Sequence, residues 1–415
     1  MEPDEGPYRQ SDRGDRYAEV IEQLWSTGQL YACDCTRDDV LARTHNNAIP
    51  GYDGHCRDRG LARTERTALR FRTPDEGSTL VHDVIRGDVE FPHEAMEDFV
   101  CVKSTGQPLF ILANAVDDRD SAISHVIRGE DLLPSTPKGL LIWRALDAYD
   151  VVALPVFAHL PMLVNEQRKK LSKRRDPVAV ESYRDQGYLA EAFRNYLALL
   201  GWSPPGDQEK VDVDTLIREF RLEDVHHAPA FFDVKKLTHL NGEYIRALSA
   251  AEFEAAVKPW VEPDLDGTAW SPSGDVPWPP DRFDEARFAS IAPLLQERVA
   301  VLGEVRTMVD FLFLDEPAID EGSWAEVAAD PSSSEILSKA LGAYRECDWT
   351  RDALYGVTLS VAESVGKSLR KAQAPIRVAV TGRSVGPPLF EPLEILGRDE
   401  VLARLRRGLQ RLTAS

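Results

Sequence analysis

The stretch RKKLSKRRDPVAV, residues 168–180, gathers Lys169, Lys170, Lys173, Arg174 and Arg175 around Ser172 before Asp176-Pro177 ends the run. Ammonium groups on a loop can neutralise the charge that develops on a pyrophosphate leaving group, and a hydroxyl adds a donor. Taken as composition alone, a charge run is more often a solvated face. A second set of chemically capable residues is Cys33-x-Cys35 followed by Cys56, in YACDCTRDDVLARTHNNAIPGYDGHCRD. Thiolates are preferred ligands of a tetrahedral Zn²⁺. Three cysteines leave one ligand to find, and Tyr52, His55 and Asp58 are the candidates. The alternative is three free thiols in a loop-rich segment, but the spacing favours a structural zinc, since no open ligand position with a catalytic base is evident. Cys101 and Cys347 stand alone and read as core thiols.

These residues sit in a chain of 415 residues with a net charge of −20, 43% hydrophobic and 28% charged residues. That length implies two to four domains. The composition is that of a soluble globular protein. Net acidity argues against nucleic-acid binding over the whole surface, while leaving room for a local basic face. Five cysteines in a chain of this length do not make a disulfide scaffold. No apolar run is long enough to span a bilayer, and MEPDEGPYRQSDRGDRY lacks the features of a secretory signal, so a cytoplasmic location is expected.

The elements that must position the chemistry follow from periodicity. RYAEVIEQLWSTGQL reads as a helix stopped near Gly28. Residues 68–112 read as short strands broken by Pro, Gly and Asp, with DFVCVKSTGQPLFILAN among them. SHVIRGEDLL is a strand ending in a glycine turn. STPKGLLIWRALDAYD is a helix with Ser135 as its cap and Pro137 in its first turn. VVALPVFAHLPMLV reads as a buried strand pair. Strand, helix and strand in that order over about 110–165 imply a parallel α/β unit. From about residue 180 onward helical periodicity dominates, interrupted by a loop over 262–284 rich in Pro, Asp, Gly and Trp.

Residue order adds what composition withholds. Lys170-Leu171-Ser172-Lys173-Arg174 resembles the Lys-Met-Ser-Lys-Ser loop of class I aminoacyl-tRNA synthetases. HVIRGEDLLPSTPKG and FAHLPMLVNEQRKKLSKR stand at the spacing seen in glutamyl-tRNA synthetases. PAFFDVKKLTHLNGEYIR and KAQAPIRVAVTGRSVGPPLFEPLEILG look like the same family, and the matches run over nearly the whole chain. The resemblance implies an α/β plus all-α architecture. Residues 1–12 would be a remnant of the first Rossmann half and 13–111 an inserted tRNA acceptor-binding domain carrying the cysteine cluster. Residues 112–165 would be the second Rossmann half, 166–246 the lysine loop with a stem-contact region, and 247–415 an all-α anticodon-binding domain.

It also implies a reaction and its residues. Glutamate would be activated by ATP with Mg²⁺ to glutamyl-adenylate and then transferred to tRNA(Glu), with the protein a monomer. Lys173 matches the lysine on the leaving pyrophosphate, supported by Lys170, Ser172 and Arg174. Met162 and Leu163 match the strand end whose backbone reads the adenine edge, with Asp131 also on the ATP side. Arg128 matches the arginine that pairs with the substrate side-chain carboxylate, where a guanidinium fork accepts a carboxylate and rejects an amide. A structural ion pair of Arg128 with Glu130 or Asp131 is the competing role. Asn114 matches a polar contact near the substrate. Phe110 stands where the family usually has Tyr, and one lost hydroxyl donor costs about 0.5–1.5 kcal/mol. Many members carry a zinc at the cysteine cluster, with a fourth ligand placed like Tyr52 or Asp58.

One family motif is missing. None of the nine histidines forms His-x-Gly-His, the helix motif that stabilises the ATP phosphates from the opposite side. The chain reads as starting where the family's first half-Rossmann segment ends. Two functions are therefore carried forward: a glutamate–tRNA ligase, and a truncated, catalytically impaired paralogue that binds tRNA. A glutaminyl-tRNA synthetase would end in β-barrels, whereas residues 290–415 read as helical.

Overall fold

The computed structural model describes residues 6–45, 51–147, 149–172, 178–262, 272 and 276–414. The chain divides into two compact units, residues 1–170 with 198–232, and residues 171–197 with 233–415.

The first unit mixes helices and sheet. Helix α1 (Gly14–Ser26) buries Tyr17, Val20, Ile21 and Leu24 along one stripe, as its spacing predicts. Gly28 follows at φ +76°, a conformation that ends the helix at no steric cost. Strand β1 (Leu30–Cys33) leads to α2 (Arg37–Thr44), whose start is fixed by a Thr36–Asp39 capping box. β1 pairs antiparallel with β2 (Ala68–Phe71), which pairs with β5 (Val100–Val102) in a three-stranded sheet.

A four-stranded sheet carries the candidate site. Its order is β4 (Gly87–Pro92), β3 (Ser78–Asp83), β7 (Val156–Leu160), β6 (His125–Gly129). β6 and β7 are parallel neighbours joined through helix α4 (Thr136–Leu146), the α/β unit expected from the strand–helix–strand order. β3 meets β7 in parallel at Asp83 and Phe157, and the tight turn from Asp83 to Gly87 returns the chain as β4. A short parallel pair, β8 (Leu163–Val164) with β9 (Ala230–Phe231), completes the unit's strands. Leu112 and Val116 of helix α3 (Phe110–Asp120) join Ile142 of α4, Leu69, Phe71 and the α1 stripe in one core.

Three sequence expectations change. PLFILAN, expected as strand, is helical from Phe110, which begins α3. Leu112, Ala113, Ala115 and Val116 face the core at helical spacing, and the polar Asp117-Asp118-Arg119-Asp120 end extends the turn. Ser135 makes no capping bond, because a 3₁₀ turn over Glu130–Ser135 runs directly into α4; Pro137 does lie in the first turn. The run from Val151 does hold two strands, β7 and β8, but they belong to different sheets and are not a buried pair. Val151, Leu154 and Val156 are exposed, Leu163 and Val164 are half-buried, and of the strand residues only Ala158 and His159 are buried.

The second unit is all helical among the described residues, as its periodicity implies. Its core gathers Phe253, Val257, Ile291, Val305, Ile336, Leu337, Tyr344, Ile376 and Leu405. Arg404 is buried there, donating to the carbonyls of Phe311, Val380 and Leu314 and pairing with Glu400. Four partners satisfy a cation that burial alone would destabilise. Most of the expected loop over 262–284 lies outside the described residues.

Candidate active site around Arg128

The alternation of β3 puts Thr79, Val81 and Asp83 inward and Leu80 and His82 outward. A carboxylate in the third inward position needs partners, and Asp83 has several. It accepts the backbone N–H groups of Ile85 (3.0 Å) and Arg86 (2.8 Å), which fixes the turn into β4. It also accepts the His159 backbone N–H (3.0 Å) and sits 2.6 Å from His159 Nδ1. Both side chains are fully buried. Burial pushes the Asp83 carboxyl up, but the imidazole and the backbone donors outweigh it and hold the group below the usual carboxylate range. Burial also holds His159 below its ordinary value, against the opposing pull of Asp83. Both shifts favour a carboxylate beside a neutral imidazole.

His159 and Arg128 are register partners on β7 and β6. Arg128 Nε donates to His159 Nε2 at 3.3 Å. Its Nη2 donates to Thr136 Oγ1 at 2.8 Å, at the first residue of α4, and to the Leu132 carbonyl at 3.4 Å. Its Nη1 reaches Asn114 Oδ1 at 3.4 Å. Asn114 is oriented by donating to Asp118 one turn along α3 (3.0 Å). Burial raises the Asp118 carboxyl and lowers the Arg128 guanidinium.

Neither acid offered by the sequence as a structural partner pairs with Arg128. Glu130 pairs with Arg86 and accepts the Met162 N–H (3.0 Å), while Asp131 pairs with Lys170 (2.9 Å). Among the described residues, Arg128 makes no ion pair. A partly buried guanidinium held by an imidazole, a hydroxyl, an amide and a carbonyl keeps its charge available. It lines a concavity with Asn114, Asp118, Thr136, Trp143 and Phe157.

The other predicted residues are placed as follows. Phe110 is exposed on α3, one turn before Asn114. The Met162 carbonyl accepts the Ala230 N–H (3.0 Å), so both backbone groups of Met162 are engaged; Leu163 lies in β8. The Lys170 ammonium holds the Asp131 carboxyl below its usual range. Ser172 is half-buried. Lys173 and Arg174 lie outside the described residues. Sequence reasoning missed Asp83, Thr136 and His159. The signal was there in a histidine inside an apolar strand, FAHLP, and in an acid on the inward phase of β3, but only the fold brings them together.

The cysteine cluster is a separate constellation. Cys33 ends β1, Cys35 precedes the cap of α2, and Cys56 lies in the turn after Tyr52. Their three Sγ atoms lie within 4.8 Å of one another. Tyr52 is buried, its hydroxyl 3.7 Å from Cys33 Sγ and accepting the Cys56 N–H at 2.6 Å. Glu97 accepts the Tyr52 N–H (2.6 Å), and a Cβ on Gly51, at φ +135°, would lie 2.8 Å from that carboxylate. Glycine is required there. Asp58 instead points outward, with a side chain 82% exposed and bonded to Arg72, and His55 is exposed. Arg70, Arg43 and Arg59 each donate to one sulfur, those of Cys33 (3.3 Å), Cys35 (3.4 Å) and Cys56 (3.3 Å). Cys33 is lowered overall: burial raises it, but the Arg70 N–H and other donors prevail. Cys35 is pushed up to about 11 by burial and the neighbouring Cys56 thiol.

The buried pair makes stability depend on pH. Asp83 and His159 both have folded values below their ordinary ones, and the charged groups facing the imidazole are Asp83, Arg128 and Arg86. The unfolded chain therefore binds protons that the folded chain refuses. The His159 contribution is fully present above the ordinary histidine value of about 6.5 and is lost as pH falls through the lower folded value. Asp83 adds a further loss below about 3.9. The denaturation midpoint should fall between pH 7 and pH 5, and less so in His159→Gln; an equal fall in that variant would contradict the neutral, buried imidazole.

Residues 1–239 match the family of tRNA synthetases class I (E and Q), catalytic domain, and residues 252–409 match an anticodon binding domain. The chain is 53% identical over 409 residues to the glutamate--tRNA ligase of Frankia casuarinae, covering 99% of this chain and 84% of that protein. It is 50% identical over 413 residues to the corresponding ligase of Thermobifida fusca, covering 99% and 83%. The crystal structure of a glutamate tRNA ligase from Elizabethkingia meningosepticum in complex with its amino acid superposes with a TM-score of 0.73 at 27% identity, covering 99% of this chain and 85% of that one. Two matched domains in this order, with identity at that level over nearly the full length, show that the chain belongs to the glutamate--tRNA ligase family of class I aminoacyl-tRNA synthetases.

Proposed function

We propose that this chain joins glutamate to tRNA(Glu) at the expense of ATP, with Arg128 as the ligand of the substrate side-chain carboxylate. A glutamate α-carboxylate oxygen attacks the α-phosphorus of ATP, the bond to pyrophosphate breaks, and glutamyl-adenylate forms. A terminal ribose hydroxyl of the tRNA then attacks the acyl carbon and AMP leaves. Catalysis of this kind is mostly positioning and charge stabilisation. The observation that carries the reading is Arg128 in a concavity without an ion-pair partner among the described residues: Glu130 and Asp131 are committed to other cations, and Asp118, whose carboxyl burial raises, lies behind Asn114.

Asn114 would touch the same substrate. Phe110 would border the pocket without the hydroxyl that its family counterpart usually offers. ATP, with Mg²⁺, would lie toward Asp131, Met162 and Leu163. The Met162 N–H is available to adenine only after Glu130 releases it. Lys173, with Lys170, Ser172 and Arg174, would face the leaving pyrophosphate. Residues 1–12 and 112–165 would supply the nucleotide fold, 13–111 the grip on the tRNA acceptor stem, 166–246 the lysine loop and stem contact, and 247–415 the anticodon contact. No described helix is long and apolar enough to cross a membrane. A cytoplasmic monomer fits this role.

The cysteine cluster fits a structural zinc. Zn–S distances of about 2.3 Å in a tetrahedron place sulfurs roughly 3.8 Å apart, which the spread of the three Sγ atoms accommodates. Tyr52 is the fourth ligand favoured by position, since Asp58 is turned outward to Arg72. The ion would tie the end of β1 to the Tyr52–Cys56 turn. Metal analysis should find one zinc per chain, lost in Cys33→Ser, weakened roughly 10- to 100-fold in Tyr52→Phe and retained in Asp58→Asn. Loss in Asp58→Asn with retention in Tyr52→Phe would reverse the assignment.

The function itself is tested by ATP–pyrophosphate exchange with glutamate and tRNA(Glu) present. Exchange should depend on both. Arg128→Gln should raise the glutamate KM by roughly 10- to 100-fold, the loss of charge-assisted bonds of about 1.5–3 kcal/mol. No exchange above background, with tRNA still bound, would replace the ligase reading with that of a tRNA-binding relative.

A further inference from the structure

The guanidinium of Arg128 has two edges that can grip a carboxylate. One is formed by Nε and Nη2, the other by Nη1 and Nη2. In this protein the first edge is consumed: Nε–H goes to His159 Nε2 at 3.3 Å and Nη2 goes to Thr136 Oγ1 at 2.8 Å. The second edge holds only two long bonds, to Asn114 Oδ1 and the Leu132 carbonyl, each at 3.4 Å. It is the edge a ligand can take at little cost.

What holds the first edge is a matter of proton placement. Nε–H can donate to His159 only if Nε2 carries a lone pair. That requires the ring proton to sit on Nδ1, 2.6 Å from the buried Asp83 carboxylate. Asp83 is itself fixed by the Ile85, Arg86 and His159 backbone N–H groups, so its direction is set by the β3–β4 turn and not by a rotamer choice. Thr136 Oγ1 lies 3.0 Å from the same Nε2 and links it to the Nη2 contact. A proton on Nε2 would face the Arg128 N–H donor to donor and release the guanidinium.

We propose that His159, held in its Nδ1–H form by Asp83, is a positioning residue that fixes which edge of Arg128 meets the substrate and so sets the preference for glutamate over glutamine. The proposal rests on the reading of Arg128 as the carboxylate ligand. With the first edge tied down, Arg128 offers two donors side by side. A carboxylate matches both, whereas an amide meets one of them with its own N–H₂. If His159 lets go, the side chain can turn, and a rotated guanidinium can give a single bond to the amide oxygen.

Two variants separate this role from plain packing. In His159→Asn the amide reaches about as far as Nδ1, keeping a partner for Asp83 but losing the acceptor that faces Arg128. In His159→Gln the longer amide restores an acceptor near Nε2. Steady-state exchange should show a glutamate KM raised about 10-fold or more in His159→Asn, with kcat changed less, and a reduced preference for glutamate over glutamine. His159→Gln should recover most of both. An unchanged glutamate KM and preference in His159→Asn would overturn the proposal, as would equal defects in the two variants that track their loss of thermal stability. The ¹⁵N spectrum of labelled imidazoles provides a readout independent of turnover, with the His159 signal identified by its loss in the variants. A proton on Nδ1 with Nε2 bare is expected, and a proton on Nε2 would overturn the proposal. Absence of glutamate-dependent exchange in the wild type would instead overturn the underlying assignment of Arg128, while the imidazole spectrum would still decide the orientation of the ring.

Discussion

A guanidinium brought out of water needs either a carboxylate or a set of neutral acceptors good enough to hold it without neutralising it. Arg128 has the second arrangement, and much of the first unit is arranged to supply it. Parallel pairing of β6 with β7 places His159 beside it. The contact of β3 with β7 brings Asp83 under His159. The start of α4 provides Thr136, and α3 provides Asn114 with Asp118 behind it. Two neighbouring acids are drawn off, Glu130 by Arg86 and Asp131 by Lys170, and the third, Asp118, is held at one remove by Asn114, its carboxyl raised by burial. Five elements thus converge on one guanidinium that makes no ion pair among the described residues.

The cysteine cluster solves the opposite problem. Three sulfurs within 4.8 Å of one another would concentrate negative charge if they held a metal as thiolates, and each sulfur here has its own arginine donor, from Arg43, Arg59 or Arg70. The Arg70 guanidinium carbon also lies 3.6 Å from the Tyr52 ring centroid, and its Nη1 donates to the Asp98 carbonyl (2.7 Å), so it ties the cluster to the segment leading into β5. Such outer partners orient metal ligands and lower the charge on them. The two constellations show the same economy: a concentrated charge is tolerated where neighbouring groups fix its direction, whether those neighbours cancel it or leave it exposed.

How far the sequence could be read differs between the two. The cysteine spacing survives translation into three dimensions because the three sulfurs lie at a strand end, just before a helix cap and in a glycine-bounded turn, features with strong local signals. The helical C-terminal half was legible for the same reason, since a 3.6-residue stripe is a local property. Arg128 was legible through its surrounding Arg-Gly-Glu-Asp order. Its supports were not, because Asp83 and His159 lie 76 residues apart and meet only through strand pairing. Phe110 to Asn114 was misread as strand because an apolar run of four or five residues fits either period, and the helix declares itself only in the polar turn that follows. The Ser135 cap failed where a 3₁₀ turn already occupied the helix start.

Direct binding tests the central claim, that Arg128 keeps its charge for a carboxylate. Calorimetric titration of the chain, with tRNA(Glu) and a non-hydrolysable ATP analogue present, should show glutamate binding at least roughly 100-fold more tightly than glutamine, a difference of about 2.7 kcal/mol. Arg128→Gln should bring the two affinities within about threefold of each other. Equal affinities in the wild type, or a preference for glutamate that survives Arg128→Gln, would contradict the account.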